Sequence, residues 1–136
     1  MMIKGVPKLQ FHHIGVATKN IEQDVPEYFL LGYKAEGDYF EDPIQGIRGL
    51  FLFSEKGPRL ELLENLPESH TLDVWLERGQ KLYHSAYYTD NLEETMQYMR
   101  EHRGIVTIPP KKSVYFGKEI CFMMLRNRQL IELLQI

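Results

Sequence analysis

A carboxylate set among leucines limits this chain's fold more than any other feature. Near the C-terminus, Arg128-Gln129-Leu130-Ile131-Glu132-Leu133-Leu134 encloses one acid in apolar residues, and the phrase has an earlier copy, Arg59-Leu60-Glu61-Leu62-Leu63. Each run reads as a buried strand, where a carboxylate is costly unless something pairs it. The two glutamates stand 71 residues apart, and the same offset carries His13, in Phe11-His12-His13-Ile14-Gly15, onto His84, in Leu82-Tyr83-His84-Ser85-Ala86. It also carries Thr18, Asn20 and Glu22 onto Thr89, Asn91 and Glu93, Phe51 onto Phe122, and Leu62 and Leu63 onto Leu133 and Leu134. One gap-free offset that links polar oddities with helix caps marks a duplicated chain, and such repeats set the architecture.

Each half reads as β-α-β-β-β. In the first, Leu9 to Thr18 is strand-like, with His13 and His12 on opposite faces. Asn20 caps a helix that runs toward Leu31 and ends at Gly32, and Pro26 puts its start nearer Val25. Tyr33 to Gly37 is a strand, Phe40 to Gly49 a loop or weak strand, and Leu50 to Phe53 and Arg59 to Glu64 are strands. Residues 66–80 form a linker whose Leu72, Trp75 and Leu76 have helical spacing. In the second half, Leu82 to Thr89 is a strand, Asn91 caps a helix ended by Gly104, and Ile105 to Ile108 is a strand. Pro109 to Gly117 is a loop, and Ile120 to Leu125 and Gln129 to Gln135 are the last strands. The expected fold is α+β, one domain over 1–136, with tandem modules at about 9–65 and 81–136.

The 136 residues suffice for one domain with a real core, and the apolar fraction of 43% is ordinary. A net charge of -3 gives no reason to expect nucleic acid or an anionic membrane as partner. Cys121 is the single cysteine, so no internal disulfide forms. No apolar run reaches membrane-spanning length, and the expected location is the cytoplasm.

Two histidines and two glutamates suggest a metal site. A divalent cation needs neutral imidazole nitrogens and ionised carboxylates aimed at one point. Each module offers a histidine on its first strand and a glutamate on its last. If those strands are neighbours, His13, Glu61, His84 and Glu132 meet at one divalent ion (Ni, Co, Mn, Zn or Fe) with positions open to substrate. Such an ion acts as a Lewis acid on a carbonyl or enolate oxygen, and a carboxylate at its edge moves a proton. Other notable residues read more plainly. His12 is structural, His70 and His102 are surface residues, and Cys121 and Trp75 are packing. Lys111, Lys112 and Lys118, interleaved with Tyr115 and Phe116, form a solvated loop or a lid that grips an anion.

His-Ile-Gly at His13, Leu-Glu-Leu-Leu at Glu61, Tyr-His-Ser-Ala at His84 and Leu-Ile-Glu-Leu at Glu132 resemble the vicinal oxygen chelate superfamily. Within it, the chain looks like methylmalonyl-CoA epimerase and then glyoxalase I, over nearly its whole length. The resemblance implies paired modules forming a curved mixed-sheet cup around one divalent metal, with those four residues as ligands. It implies a metal-dependent isomerase or epimerase that abstracts a proton next to a carbonyl held on the metal, with Glu132 as base. The alternatives are a glyoxalase I-like lyase acting on a thiol adduct of a 2-oxoaldehyde, or a metal-free small-molecule binding protein. The substrate is expected to be small and anionic, an acyl-CoA or thiol adduct, with Arg48, Lys118 and Tyr115 as its contacts, and the protein a homodimer. The chain departs from the epimerase pattern after Gln45-Gly46-Ile47-Arg48, where Gly49 stands in place of a second glutamate base. Glu41, Tyr115 or a metal-bound water are the alternatives for that role.

Overall fold

A computed structural model describes residues 5–136; residues 1–8 read from sequence as a short lead-in to the first strand, and residues 1–4 of it lie outside the described residues. The first half runs β1 (Gln10–Ala17), α1 (Ile21–Phe29), β2 (Lys34–Asp42), β3 (Ile47–Phe53) and β4 (Leu60–Asn65). A short α2 (Asp73–Glu77) follows, and the second half repeats the order as β5 (Leu82–Thr89), α3 (Leu92–Glu101), β6 (Ile105–Lys112), β7 (Glu119–Met124) and β8 (Leu130–Gln135). This is the α+β duplication that the offset predicts. The described residues form two compact units, His13–Tyr83 and a second made of residues 5–12 together with His84–Ile136.

Within the first module the strand order is β2-β3-β4-β1. β1 and β4 are parallel, with Gly15 opposite Glu61, and the remaining pairs are antiparallel. The second module has the order β5-β8-β7-β6, with Ala86 opposite Glu132 in its parallel pair and antiparallel pairs elsewhere. First and last strands of each module are therefore neighbours, as a histidine–glutamate site requires.

Side chains alternate across each strand, so each sheet face has its own population. One face packs on the module's helix. Val16, Ile21, Leu50, Leu52, Leu60 and Leu62 form that core in the first module. Leu92, Met96, Cys121, Met123, Ile131 and Leu133 form it in the second. Ile21, Leu50, Leu52, Leu60 and Leu62 all map onto members of the second core at the 71-residue offset. Cys121 thus occupies the place of Leu50. Burial, with the nearby Glu132 carboxylate adding to it, pushes its thiol up to about 12, which leaves it an inert apolar side chain.

Two caps start each helix. Asn20 Oδ1 accepts from the Gln23 N–H (3.1 Å), and Asn91 Oδ1 from the Glu94 N–H (3.0 Å). The second cap comes from the module's last strand. The Ile21 N–H donates to Glu64 Oε1 (2.8 Å) and the Leu92 N–H to Gln135 Oε1 (2.7 Å). Glu64 and Gln135 obey the offset of 71 as well. These caps put the start of α1 at Ile21 rather than near Val25, with Pro26 inside the helix. The proline removes one bond, to the Glu22 carbonyl, from a helix that ends at Phe29.

Phe40 to Gly49, expected as a loop or weak strand, lies largely in strands, and so does the start of the Pro109 to Gly117 segment expected as a loop. β2 continues to Asp42 because Phe40, Glu41 and Asp42 pair with Gly49, Arg48 and Ile47 beyond a bulge after Glu36, where Gly37 has φ 76°. β6 passes through Pro109 and Pro110 because it is the last strand in its module's order, and its register shifts between Ile108 and Lys111. The turns that follow are built alike. Asp42 Oδ1 accepts from the Gln45 N–H (3.1 Å), and Ser113 Oγ from the Phe116 N–H (3.2 Å). The linker holds the first turn: Thr71 Oγ1 donates to the Gln45 carbonyl (2.6 Å) and the Leu66 N–H to the Gly46 carbonyl (3.0 Å).

Removing either strand-borne cap strands a helix N–H. Glu64→Ala and Gln135→Ala are each expected to lower folding stability by about 1 kcal/mol in urea denaturation. Glu64→Gln, which keeps an acceptor oxygen, should lose less; an equal loss for Ala and Gln would assign the effect to charge instead.

Candidate metal centre

Parallel pairing of β1 with β4 places His13 Nε2 3.1 Å from Glu61 Oε1. Pairing of β5 with β8 places His84 Nε2 3.2 Å from Glu132 Oε1. The four residues are 0%, 6%, 5% and 4% exposed in chain order, so bulk water does not answer the charge of either carboxylate. Within each module the imidazole is the polar group set against it. Two ligand atoms at right angles on one ion, each at about 2.1 Å, lie about 3.0 Å apart, and both N···O separations fit that spacing. The same distance suits a direct imidazole–carboxylate contact, and metal content separates the two. Imidazole and carboxylate together suit first-row divalent ions, so the residues fit such an ion and could hold it.

Each imidazole meets an aromatic edge. The Phe51 ring lies 5.1 Å from that of His13 at 84°, and Phe122 lies 5.1 Å from His84 at 86°. Phe51 and Phe122 stand opposite Glu61 and Glu132 in the antiparallel registers. Both rings are about 1% exposed and screen one flank of each donor pair from water. The sequence pairs these phenylalanines by offset but gives no sign of their contact with the histidines.

A further aromatic residue sits on the histidine side of the first module. Gly49 shares that face of β3 with Phe51, by alternation, and pairs with Phe40 of β2. A Cβ at Gly49 would meet the Phe40 ring, with Cε1 at 2.6 Å and Cε2 at 3.1 Å. The Phe40 ring stacks on Phe51 at 5.9 Å and 23°. An interior strand glycine is the sequence sign of such a close approach.

The other expected site residues are not among the four donors. Arg48 alternates with Gly49 and faces α1. Its guanidinium contacts both Glu22 carboxylate oxygens (2.7 and 3.2 Å), lies 3.7 Å from Glu64 and stacks over Tyr39 at 4.0 Å. The hydrogen bond from Arg48 holds the Glu22 carboxyl below its usual range and raises the Arg48 pKa in return. Arg48 thus clasps helix to strand, where the sequence reading expected a substrate contact. Glu41 is exposed and alternates with Phe40, which turns it away from the histidine face. Tyr115 and Lys118 are exposed in the turn before β7, with Tyr115 against the Phe116 ring at 5.0 Å.

The remaining histidines are not grouped with the donors. The His12 ring lies against Tyr88 (4.8 Å) and Phe116 (5.3 Å). His70 is exposed beside Asp73 (2.7 Å), and His102 Nδ1 lies 2.8 Å from the Tyr98 carbonyl oxygen. Trp75 packs edge-on to Tyr83 at 4.7 Å.

Comparison with known proteins agrees with this architecture. The sequence profile of the Glyoxalase/Bleomycin resistance protein/Dioxygenase superfamily matches residues 12–122, and the chain belongs to that superfamily. No curated protein sequence matches. Among solved structures, a hypothetical protein of Bacillus halodurans C-125 is 26% identical, with a TM-score of 0.80 over 95% of each chain. Methylmalonyl-CoA epimerase from Mycobacterium tuberculosis is 18% identical, with a TM-score of 0.79 over 99% of this chain and 92% of that one. A variant of the Streptomyces coelicolor epimerase, in complex with 2-nitronate-propionyl-CoA, is 22% identical, with a TM-score of 0.75 over 93% and 96%. At these identities the epimerases establish the shared glyoxalase-like fold. No helix among the described residues is long and apolar enough to cross a membrane.

The placement of Arg48 has a direct test. Arg48→Gln is expected to shift the urea midpoint only slightly and to leave binding of an acyl-CoA ester within about twofold by calorimetry. A large loss of acyl-CoA binding would make Arg48 a substrate contact despite its pairing with Glu22.

Proposed function

We propose that His13, Glu61, His84 and Glu132 hold one divalent ion, and that the protein is a metal-dependent isomerase or epimerase. It would abstract a proton next to a carbonyl in the manner of methylmalonyl-CoA epimerase. One observation carries this reading: the histidine–glutamate pair occurs twice, buried, at 3.1 and 3.2 Å, with the same aromatic edge against each imidazole. Structural packing alone does not call for two such pairs, since an apolar pair would fill the space without burying charge.

The bound ion would supply Lewis-acid polarisation of a carbonyl oxygen, which acidifies the adjacent C–H. Glu132 takes that proton. Phe122 and the leucines around Glu132 keep bulk water from exchanging it. Tyr115 and Lys118, exposed on the turn of the same module, are the proposed contacts for an anionic part of the substrate. The propionyl-CoA analogue carried by the Streptomyces coelicolor protein supports an acyl-CoA or related thiol adduct as the class.

A second reading has its own support. Epimerisation by two bases needs a base on one side of the carbon and a proton donor on the other, and Gly49 supplies no such group while Glu41 faces away. A glyoxalase I-like reaction on a thiol adduct of a 2-oxoaldehyde moves a proton between adjacent carbons, and one carboxylate suffices. Deuterium uptake into acyl-CoA esters would favour the epimerase. Consumption of a methylglyoxal–thiol adduct without that exchange would favour the lyase.

Elemental analysis of protein purified without chelator is expected to find about one divalent ion per chain, lost in Glu61→Ala/Glu132→Ala. No metal, and no uptake of added Ni, Co, Mn or Zn, would leave a metal-free binding protein. Glu132→Gln is expected to lower turnover about a hundredfold or more while keeping most of the metal. Unchanged turnover would remove Glu132 as the base.

A further inference from the structure

We propose that a cavity beside the first turn of α1 is a binding site for a small organic carboxylate. The Thr18 hydroxyl and the Lys81 ammonium are its polar contacts, and Trp75 and Leu76 lie beside its carbon part. The cavity measures about 320 Å³, and its walls include Thr18, Lys19, Asp24, Trp75, Leu76 and Lys81. All its lining residues belong to the His13–Tyr83 unit, and none is one of the four donors. A space of that size suits a compact small molecule.

The two modules differ at this corner. In the second, the Thr89 hydroxyl closes the passage from strand to helix: it lies 2.7 Å from Thr95 Oγ1 and accepts from the Asn91 N–H at 3.2 Å. Thr18 and Asp24 stand at the corresponding places in the first. Thr18 is as buried as Thr89, at 1% exposed, yet its hydroxyl has no hydrogen-bond partner. Asp24 lies instead 3.7 Å from Lys81 Nζ. Buried hydroxyls are nearly always satisfied, so an unmet one in a cavity wall points to a ligand that meets it. The charges around it favour an anion. Lys19 and Lys81 are both exposed and outnumber Asp24, while Glu22, the other acid of that helical turn, is held by Arg48. The N–H groups of Ile21, Gln23 and Asp24 are taken by Glu64, the Asn20 side chain and the Asn20 carbonyl. The helix start therefore adds positive potential rather than those donors. A carboxylate fits this set: one oxygen accepts from Thr18, and the other meets the ammonium that the flexible Lys81 stem carries.

Trp75 is the chain's single tryptophan, so its emission arises at this cavity. The protein as purified is titrated with sodium benzoate at constant ionic strength, with benzamide as the uncharged control. A saturable change in Trp75 emission is expected, with benzoate bound about tenfold more tightly than benzamide or better. Thr18→Val keeps the side chain's outline without the hydroxyl, and Lys81→Gln removes the ammonium. Each is expected to weaken benzoate about fivefold or more. Thr18→Val has a second readout, because an unpaired hydroxyl contributes nothing to folding. Its urea midpoint without ligand should equal or exceed that of wild type. A lower midpoint would mean that the hydroxyl is satisfied in the free protein, and would overturn the site. Absence of a benzoate titration, or equal binding of benzoate and benzamide, would overturn it too. So would equal benzoate binding by wild type and both variants, the result expected of a carboxylate taken up by a metal ion at the four donors.

Discussion

The contact between a buried carboxylate and a buried imidazole, made once in each half, governs this structure. Glu61 and Glu132 are flanked on their strands by leucine and isoleucine, and too little solvent reaches them to offset their charge. His13 and His84 answer them from the neighbouring parallel strand. A parallel neighbour cannot be reached through a tight turn, so each module needs a helix and two further strands between its first and last. The β-α-β-β-β order is in this sense the connection that brings one histidine to one glutamate.

What holds that connection is also repeated. Ile21, Leu50, Leu52, Leu60 and Leu62 have counterparts in Leu92, Cys121, Met123, Ile131 and Leu133, and both sets lie between helix and strands. The residue that ends the last strand, Glu64 or Gln135, reaches back to cap the helix that follows the first. Each module is thereby closed at the end where its histidine strand hands over to the helix, and the donor pair lies on strands tied at both levels. The turns diverge more. The linker grips the first by hydrogen bonds through Thr71 and Leu66, whereas the second rests its Phe116 ring on His12.

Most of this order is legible in the residues because polar oddities in apolar strands are rare and a single offset relates them. His13, Glu61, His84 and Glu132 could be paired by counting alone. The limits of α1, β2 and β6 could not. Pro26, and the turn-rich residues beyond Gly37, argue locally against regular structure, but a cap from a distant strand and a bulged pairing override them. Pro109 and Pro110 read as loop because their position at the end of the strand order is a tertiary fact. Arg48 shows a related effect. Charge alone suggests an anion contact, and strand alternation supplies one from within the chain, the Glu22 carboxylate on the helix side. Phe40 was equally hidden, since its neighbour Gly49 is nine residues away in sequence and adjacent only through the β2–β3 register.

That last pair has a bearing on how the chain can change over time. With Phe40 in place, a side chain added at position 49 meets the end of its ring, and the ring must turn aside to admit it. The freedom of position 49 to take on a functional group is thus set by the rotamer of a residue nine positions away, through the pairing of one strand with the next.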